Sequence, residues 1–338
     1  MAAPVHVLIT EPFDKDLVRQ MEAVSERLAI HVHPAHKADE LPGSFLAQAE
    51  VLYTSRALPE PGAAPHLKWV QLHLAGIDRV AGHPLLQTGI EVTTLSGAAS
   101  SQVAEYVLLM MLALGHRLPH LLEHQARKEW PRDRWERFSP LELRGATVGL
   151  LGYGSIGREV ARMCQALGAR VLAVKRDAMR LVDEGYSPEG LGDPSGDRAA
   201  RLYPPQAAKR MLAECDFVVV CAPLTEETRG SIGAEILAAC KRGAFLIDVS
   251  RGGVVVGEAV LAALREGQLR GAALDVFESE PLDAENPLWS ASNVILTPHI
   301  AGDSPHYDAR AVELFVENLK RYVAGQPLLN RVAWPRGY

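Results

Sequence analysis

Four side chains with acid-base or anion-binding chemistry stand directly after short apolar runs in the C-terminal half of the sequence. Arg251 lies in IDVSRGG (247–253), Asp275 and Glu280 lie in ALDVFESEPL (273–282), and His299 lies in ILTPHIAG (295–302). An arginine can hold a carboxylate through two parallel hydrogen bonds and polarise an adjacent carbonyl. A histidine can exchange the proton that accompanies hydride transfer, and a neighbouring glutamate favours the imidazolium form. Upstream, Gly152-Tyr153-Gly154-Ser155-Ile156-Gly157 follows the apolar run 147–151 and precedes the helical pattern REVARMCQALG. Between a strand and a helix this spacing reads as a pyrophosphate cradle. Gly152 permits the tight turn, Gly154 lets the backbone approach the anion, and Gly157 lets helix and strand pack closely.

A dinucleotide is therefore the expected cofactor. The next apolar run, 170–174, should end beside its ribose, about 20 residues past the glycines, where an Asp or Glu would accept the 2′-hydroxyl of NAD. Lys175 and Arg176 occupy that place. Two cations suit a 2′-phosphate, so NADP(H) is expected over NAD(H). The competing reading gives the ribose to Asp177 and leaves both cations in solvent.

These residues need sheets to carry them. Apolar, β-branched runs recur at 5–10, 49–55, 67–72 and 90–95, and a second series runs ATVGLLGYG, ARVLAVKR, CDFVVVCAPL, AFLIDVS, GAALDV and NVILTPH. The alternation of such runs with helical stretches predicts two α/β domains, each a doubly wound parallel sheet covered on both faces. Residues at the carboxyl ends of such strands face the ligand, which lets Arg251, Asp275, Glu280 and His299 converge. Apolar helices at about 100–118 and 305–324 read as crossings between the domains. The first domain is then discontinuous, 1–100 plus 304–338, and the dinucleotide domain, 101–303, is inserted into it. Residues 185–205, rich in Gly, Pro and charge, read as a long surface loop that cannot hold a central strand.

Composition narrows the classes. The 338 residues are 48% hydrophobic and 22% charged, ordinary for a globular chain. Lys+Arg 35 against Asp+Glu 41 gives a net charge of −6, which argues against a nucleic-acid backbone as partner. Cys164, Cys215, Cys221 and Cys240 show no CxxC spacing and sit among apolar residues, so buried thiols in a reducing compartment are expected. The N-terminus lacks a signal pattern and no apolar run is long enough to span a bilayer, so a cytoplasmic protein without a membrane partner is expected.

Taken together, the motifs resemble those of the D-isomer-specific 2-hydroxyacid dehydrogenases, the glyoxylate/hydroxypyruvate reductase-like members included, over essentially the whole chain. The GxGxIG turn is Gly152 to Gly157, the serine-arginine-glycine segment is Ser250-Arg251-Gly252, DVFxxEPL is Asp275 to Leu282, and PHIAG is Pro298 to Gly302. LAGID (74–78), VAEY (103–106), PLTEET (223–228) and ENLKRYVAGQPLLNRV (317–332) are similar too. The resemblance implies a Rossmann-type cofactor domain inserted into a flavodoxin-like substrate domain, and NAD(P)H-dependent reduction of a small 2-oxo acid to the D-2-hydroxy acid. It makes Arg251 the group that binds the substrate carboxylate and carbonyl, His299 the acid/base, and Glu280, directly before Pro281, the residue that orients His299. It also implies that the backbone at Ala75 and Gly76 helps to hold the substrate. Cys221, Ala222, Pro223 and Thr228 would line the cofactor groove, Ser250 and Asp275 would approach the nicotinamide, and Val249, Ala301 and Gly302 complete the cofactor set. A homodimer is implied as well. Phosphite-type dehydrogenases and corepressor-like dinucleotide-sensing proteins remain as alternatives, whereas Thr297-Pro298 stands where formate enzymes typically carry a Gln.

Two positions depart from the family pattern. Asp248 stands where members commonly have Asn, and Val256 where they have Asp, which removes a helix N-cap unless Gly257 replaces it. Several other groups read as structural. His116, His120 and His124 are spaced for one helix face, but Pro119 interrupts them and no thiol or acid pattern accompanies them, so no metal site is expected. His31, His33 and His36 read as strand-end and turn residues. Arg127, Lys128, Arg132, Arg134 and Arg137 with Trp130 and Trp135 form a basic-aromatic stretch whose field Glu129, Asp133 and Glu136 largely cancel, which suits an interdomain or dimer surface better than nucleic acid.

Overall fold

The structure is a computed structural model that describes residues 3–333; residues 1–2 and 334–338, at the two ends of the expected first domain, lie outside the described residues. The strands are β1 (Val5–Ile9), β2 (Leu28–Val32), β3 (Val51–Thr54), β4 (Trp69–Leu72), β5 (Glu91–Thr93), β6 (Thr147–Leu151), β7 (Arg170–Val174), β8 (Arg201–Tyr203), β9 (Phe217–Val220), β10 (Ala244–Asp248), β11 (Leu269–Leu274) and β12 (Val294–Leu296). The helices are α1 (Lys15–Glu22), α2 (Gly43–Leu46), α3 (Ser100–Gly115), α4 (Leu118–Arg127), α5 (Arg134–Arg137), α6 (Ser155–Ala166), α7 (Ala208–Leu212), α8 (Ala234–Ala238), α9 (Gly257–Arg265) and α10 (Tyr307–Val323). The chain divides into two compact units. The first holds the residues through Ala99, Glu184–Tyr186 and those from Ser304 onward, and the second holds Ser100–Asp183 and Ser187–Asp303.

In the first unit five parallel strands run in the order β2-β1-β3-β4-β5, the flavodoxin-like arrangement. Alternate residues feed opposite faces. Val7, Ile9, Val51, Tyr53 and Trp69 pack with Val312, Phe315 and Leu319 of α10, whereas Leu8, Leu52, Val70 and Leu72 pack with Leu46, Ile77, Leu85 and Leu86. Both faces are therefore dry, which is why these strands read as near-continuous apolar runs. Each fully buried Val, Leu or Ile contributes roughly 1.5–3 kcal/mol. The three-residue return is anchored within this unit. The Tyr186 amide donates to Asn330 Oδ1 at 2.9 Å, and the Tyr186 side chain packs with Leu95, Ala98 and Leu314.

In the second unit the order is β12-β11-β10-β9-β6-β7-β8, again all parallel. Helices α7, α8 and α9 bury Met211, Leu212, Leu237 and Val260 against one face, and α3 packs on α6 and β10 at the other. Among the described residues no helix is long and apolar enough to cross a membrane.

Two strands lie outside the apolar runs read from the sequence, although His31 and His33 read as strand-end residues, where β2 ends. β2 and β8 are edge strands: β2, Leu-Ala-Ile-His-Val, is half-buried up to His31 with Val32 exposed, and β8 is Arg-Leu-Tyr with its arginine exposed. The stretch 185–205 is thus no plain surface loop, since it ends in an edge strand and contains the buried carboxylate of Asp193. The histidine stripe also dissolves. Helix α3 ends at Gly115, Arg117 turns left-handed with φ 56°, and Pro119 opens α4 rather than breaking a helix, so His116 is not on the helix of His120 and His124. No cluster of potential metal ligands is present among the described residues. Cys164, Cys215 and Cys240 are buried free thiols, but Cys221 is only half-buried.

Candidate active site

In the second sheet the chain reverses its direction of winding between β6 and β9, the place where open α/β sheets bind ligands. The glycine turn follows β6 and Cys221 follows β9, and the two touch: the Cys221 thiol donates to the Gly152 carbonyl at 3.1 Å. A Cβ on Gly157 would run into that same carbonyl, which explains the third glycine. Helix α6 begins at Ser155 with Gly154 as N-cap, no side chain caps it, and nothing stands within 4 Å of the place a Gly154 Cβ would take. The first turn of α6 thus offers an uncapped N-terminus and open space, which fits a dinucleotide pyrophosphate.

Tyr153 turns away from that space. Its hydroxyl donates to Asp193 Oδ2 at 2.6 Å, and the Arg158 guanidinium lies 4.8 Å from its ring centroid. Arg158 is 1% exposed, donates to the carbonyls of Asp193 and Leu181, and lies 3.3 Å from Asp183. The neighbouring Glu159, also buried, accepts from the Gly192 amide at 2.6 Å and pairs with Arg162. The stretch between β7 and β8 is therefore clamped onto the start of α6 by buried charges. Lys175, at the end of β7, donates to the Arg180 carbonyl. Burial and the nearby Arg158 and Arg180 guanidinium groups lower its pKa, against Asp183 and Asp177.

Toward the other edge of the sheet, three neighbouring strands end in the catalytic candidates. After β10, Val249 and Ser250 are buried and Arg251 Nη1 donates to the Ser250 carbonyl at 2.8 Å. Gly252 lies so close to the Phe277 backbone carbonyl that no Cβ fits, which locks the turn after β10 onto the turn after β11. In that second turn Glu280 Oε1 accepts from the Phe277 amide at 3.1 Å, and Oε2 lies 2.8 Å from His299 Nδ1. With Nδ1 donating to Glu280, Nε2 is the ring atom left to carry and release a proton. Both side chains are about a third exposed, 32% for His299 and 31% for Glu280.

Beneath them lies a support that sequence reasoning missed. The Asp275 carboxylate, 1% exposed, accepts from the amides of Ile300 and Ala301, each at 2.9 Å, and from Thr297 Oγ1 at 2.7 Å. Thr297 in turn receives the Tyr106 hydroxyl at 2.6 Å, and Gln102 Nε2 donates to the Gly302 carbonyl at 3.0 Å. Burial pushes the Tyr106 phenol up to about 12. Gln102 and Tyr106 are i, i+4 on α3, two polar residues on one face of an apolar helix, and that spacing was the available signal. This network holds His299 in a left-handed conformation, φ 55°.

Among the cofactor-groove candidates, Ala222 follows Cys221 against Gly152, whereas the Thr228 hydroxyl donates to the Pro223 carbonyl at 2.7 Å and accepts from the Thr225 amide at 2.8 Å. Thr228 thus closes its own turn, and the side chains of Ser250 and Asp275 are likewise bonded within the protein. Ala75 and Gly76 belong to the first unit, in the turn after β4. Val256 is the N-cap of α9 without a side-chain bond, and Gly257 is the first residue of that helix rather than its cap.

A doubly wound sheet with a glycine turn at its reversal defines a dinucleotide-binding protein of two α/β units. The chain belongs to the D-isomer specific 2-hydroxyacid dehydrogenase family, whose NAD binding domain matches residues 108–301. It is 35% identical to the glyoxylate reductase of Korarchaeum cryptofilum over 266 residues, 78% of this chain and 75% of that one. It is 30% identical to the D-3-phosphoglycerate dehydrogenase of Methanocaldococcus jannaschii over 98% of its own length but spans only 60% of that protein. The structure of a D-isomer specific 2-hydroxyacid dehydrogenase from Xanthobacter autotrophicus in complex with NADPH and MES superposes with a TM-score of 0.76 at 30% identity, covering 100% of both chains.

Proposed function

We propose that the chain reduces a small 2-oxo acid to the D-2-hydroxy acid, with NADPH preferred over NADH and glyoxylate and hydroxypyruvate as the favoured substrates. The observation that carries this reading is the Glu280–His299 pair at 2.8 Å, bridging the ends of β11 and β12, with Arg251 past the end of the adjoining β10. Bound dinucleotide supplies the hydride that ends on the substrate's carbonyl carbon. The turn Gly152–Gly157 would hold its pyrophosphate, and Lys175 and Arg176 its 2′-phosphate. Arg251 holds the substrate carboxylate and stabilises the charge that builds on the carbonyl oxygen. His299, fixed through Nδ1 by Glu280, delivers the Nε2 proton to that oxygen.

Similarity to a glyoxylate reductase and to a protein solved with NADPH supports both the substrate class and the cofactor preference. A homodimer belongs to the same reading. Leu109 and Leu112 of α3 and Leu118, Leu121 and Leu122 of α4 are exposed apolar residues that a second copy would cover, and sedimentation velocity would show a monomer if it does not. The activity is tested by initial rates of NADPH and NADH oxidation with glyoxylate, hydroxypyruvate, pyruvate and phenylpyruvate. Turnover fastest on the first two, and faster with NADPH, is expected. No turnover despite tight dinucleotide binding would replace this reading with a phosphite-type enzyme or a sensing module.

A further inference from the structure

Asp248 ends β10 with its carboxyl buried, 2% exposed. Its Oδ1 accepts both from the Ser250 amide at 3.0 Å and from the Ser250 hydroxyl at 2.5 Å. The Ser250 carbonyl in turn receives Arg251 Nη1. A chain of contacts thus runs from the sheet interior through Ser250 to the guanidinium. One strand over, Asp275 does the same for the loop of His299 through Thr297, Ile300 and Ala301. Two buried acids on neighbouring strand ends therefore each hold one catalytic loop.

Their circumstances differ. Asp275 takes three donors from a neighbouring loop, two of them backbone amides, whereas both donors to Asp248 come from Ser250. The titratable groups that face Asp248 from the elements around it are Asp275 after β11, the Cys221 thiol after β9 and the Tyr106 phenol on α3, none of them a cation. Burial pushes the Asp248 carboxyl up to about 7, and Asp275 adds to this against the hydrogen bonds from Ser250.

We propose that Asp248 is a positioning residue: its carboxyl fixes the turn that carries Arg251, and its charge, set beside Asp275, tunes how well the site takes an anionic substrate. The inference rests on the reading of Arg251 as the carboxylate-binding group. Neutral Asp248 adds no charge beneath the site. Ionised, it places a negative charge beneath a site that must hold a carboxylate, so substrate binding weakens as pH rises through neutrality. Asn at this position keeps the acceptor for Ser250 and removes the charge, whereas Ala removes both.

The test compares wild type, Asp248→Asn and Asp248→Ala by KM for glyoxylate, KM for NADPH and melting temperature. Between about pH 6 and about pH 8, the glyoxylate KM of the wild type is expected to rise about fivefold more than that of Asp248→Asn, with no such difference in the NADPH KM. Asp248→Ala should raise the glyoxylate KM about tenfold at both values, since Ser250 loses its acceptor. A carboxyl whose folded pKa is raised confers stability that is present at low pH and lost as pH rises to the folded value. The melting temperature of Asp248→Asn relative to wild type should therefore climb between about pH 5 and about pH 7 and level off above. A flat melting difference, or equal KM ratios in wild type and Asp248→Asn, overturns the charge effect. A glyoxylate KM within about twofold of wild type in Asp248→Ala overturns the positioning role. If the wild type turns over no 2-oxo acid, the reading of Arg251 fails by itself, and the melting difference still decides whether Asp248 titrates.

Discussion

Around the glycine turn the polar side chains face inward, whereas around His299 they face outward from a buried support. Tyr153, Arg158 and Glu159 are buried and bonded to the stretch between β7 and β8, so what this end leaves open is backbone and the uncapped N-terminus of α6. At the other end Glu280 and His299 stand a third exposed, and the buried Asp248 and Asp275 with the half-buried Tyr106 lie behind the loops that carry the chemistry. The difference follows from what each end must do. A cofactor that stays bound is served by a rigid cradle, while a proton donor must reach a substrate and still keep its orientation.

If the two ends are separable, variants at one should leave the other's readout alone. The largest effect is expected from Arg251→Ala, which should lower kcat/KM for the 2-oxo acid by about 10²–10³ while NADPH binding stays within a few-fold, as steady-state kinetics and a dinucleotide titration would show. Asp193→Asn attacks the cradle instead. Burial alone would raise the Asp193 carboxyl, but hydrogen bonds from Tyr153 and the Arg198 and Asp197 amides outweigh it and hold it below its ordinary range. Its contribution is complete above the unfolded pKa of about 3.9 and is lost as pH falls through the lower folded value. Near neutral pH, weakening this buried network should cost about 3 kcal/mol. At about 2–4 °C per kcal/mol that is a melting shift of roughly 6–12 °C, and the shift should shrink in acid.

Smaller effects sharpen the contrast. Replacing Lys175 and Arg176 together by Ala should lower kcat/KM for NADPH about tenfold or more and leave NADH nearly untouched, because only the 2′-phosphate loses partners. Equal losses with both cofactors would place the ribose elsewhere, on Asp177 for instance. Val256→Asp should stabilise the domain by about 1 kcal/mol in chemical denaturation by supplying the missing N-cap of α9, with little change in kinetics.

How far the sequence disclosed this arrangement depended on burial. Strands covered on both faces, such as β6, β9 and β10, stood out as apolar runs; Arg251 followed from the rule that ligands meet carboxyl ends, Gly152 from the glycine motif after β6, and Cys221 only from the family resemblance. The edge strand β8 carries too little apolar signal to stand out and lay hidden in a stretch dominated by Gly, Pro and charge, whereas β2, apolar but for His31, announced itself only through its strand-end histidines. Buried polar supports were the least legible. Nothing local marks Arg158 or Asp193 as interior, because each is buried by a partner some 35 residues away in sequence. Asp248 stood out only as a departure from the family's Asn, and its partner, Ser250, emerged with the backbone.

In the proposed mechanism, hydride acceptance at this site needs the proton of His299. It is tested most directly with His299→Asn, by titrating NADPH into the variant and then adding glyoxylate while following the loss of reduced cofactor. From this mechanism, NADPH affinity within a few-fold of wild type and a fall of about 10²–10⁴ in turnover are expected. Turnover within about tenfold of wild type, with NADPH bound as before, would contradict it.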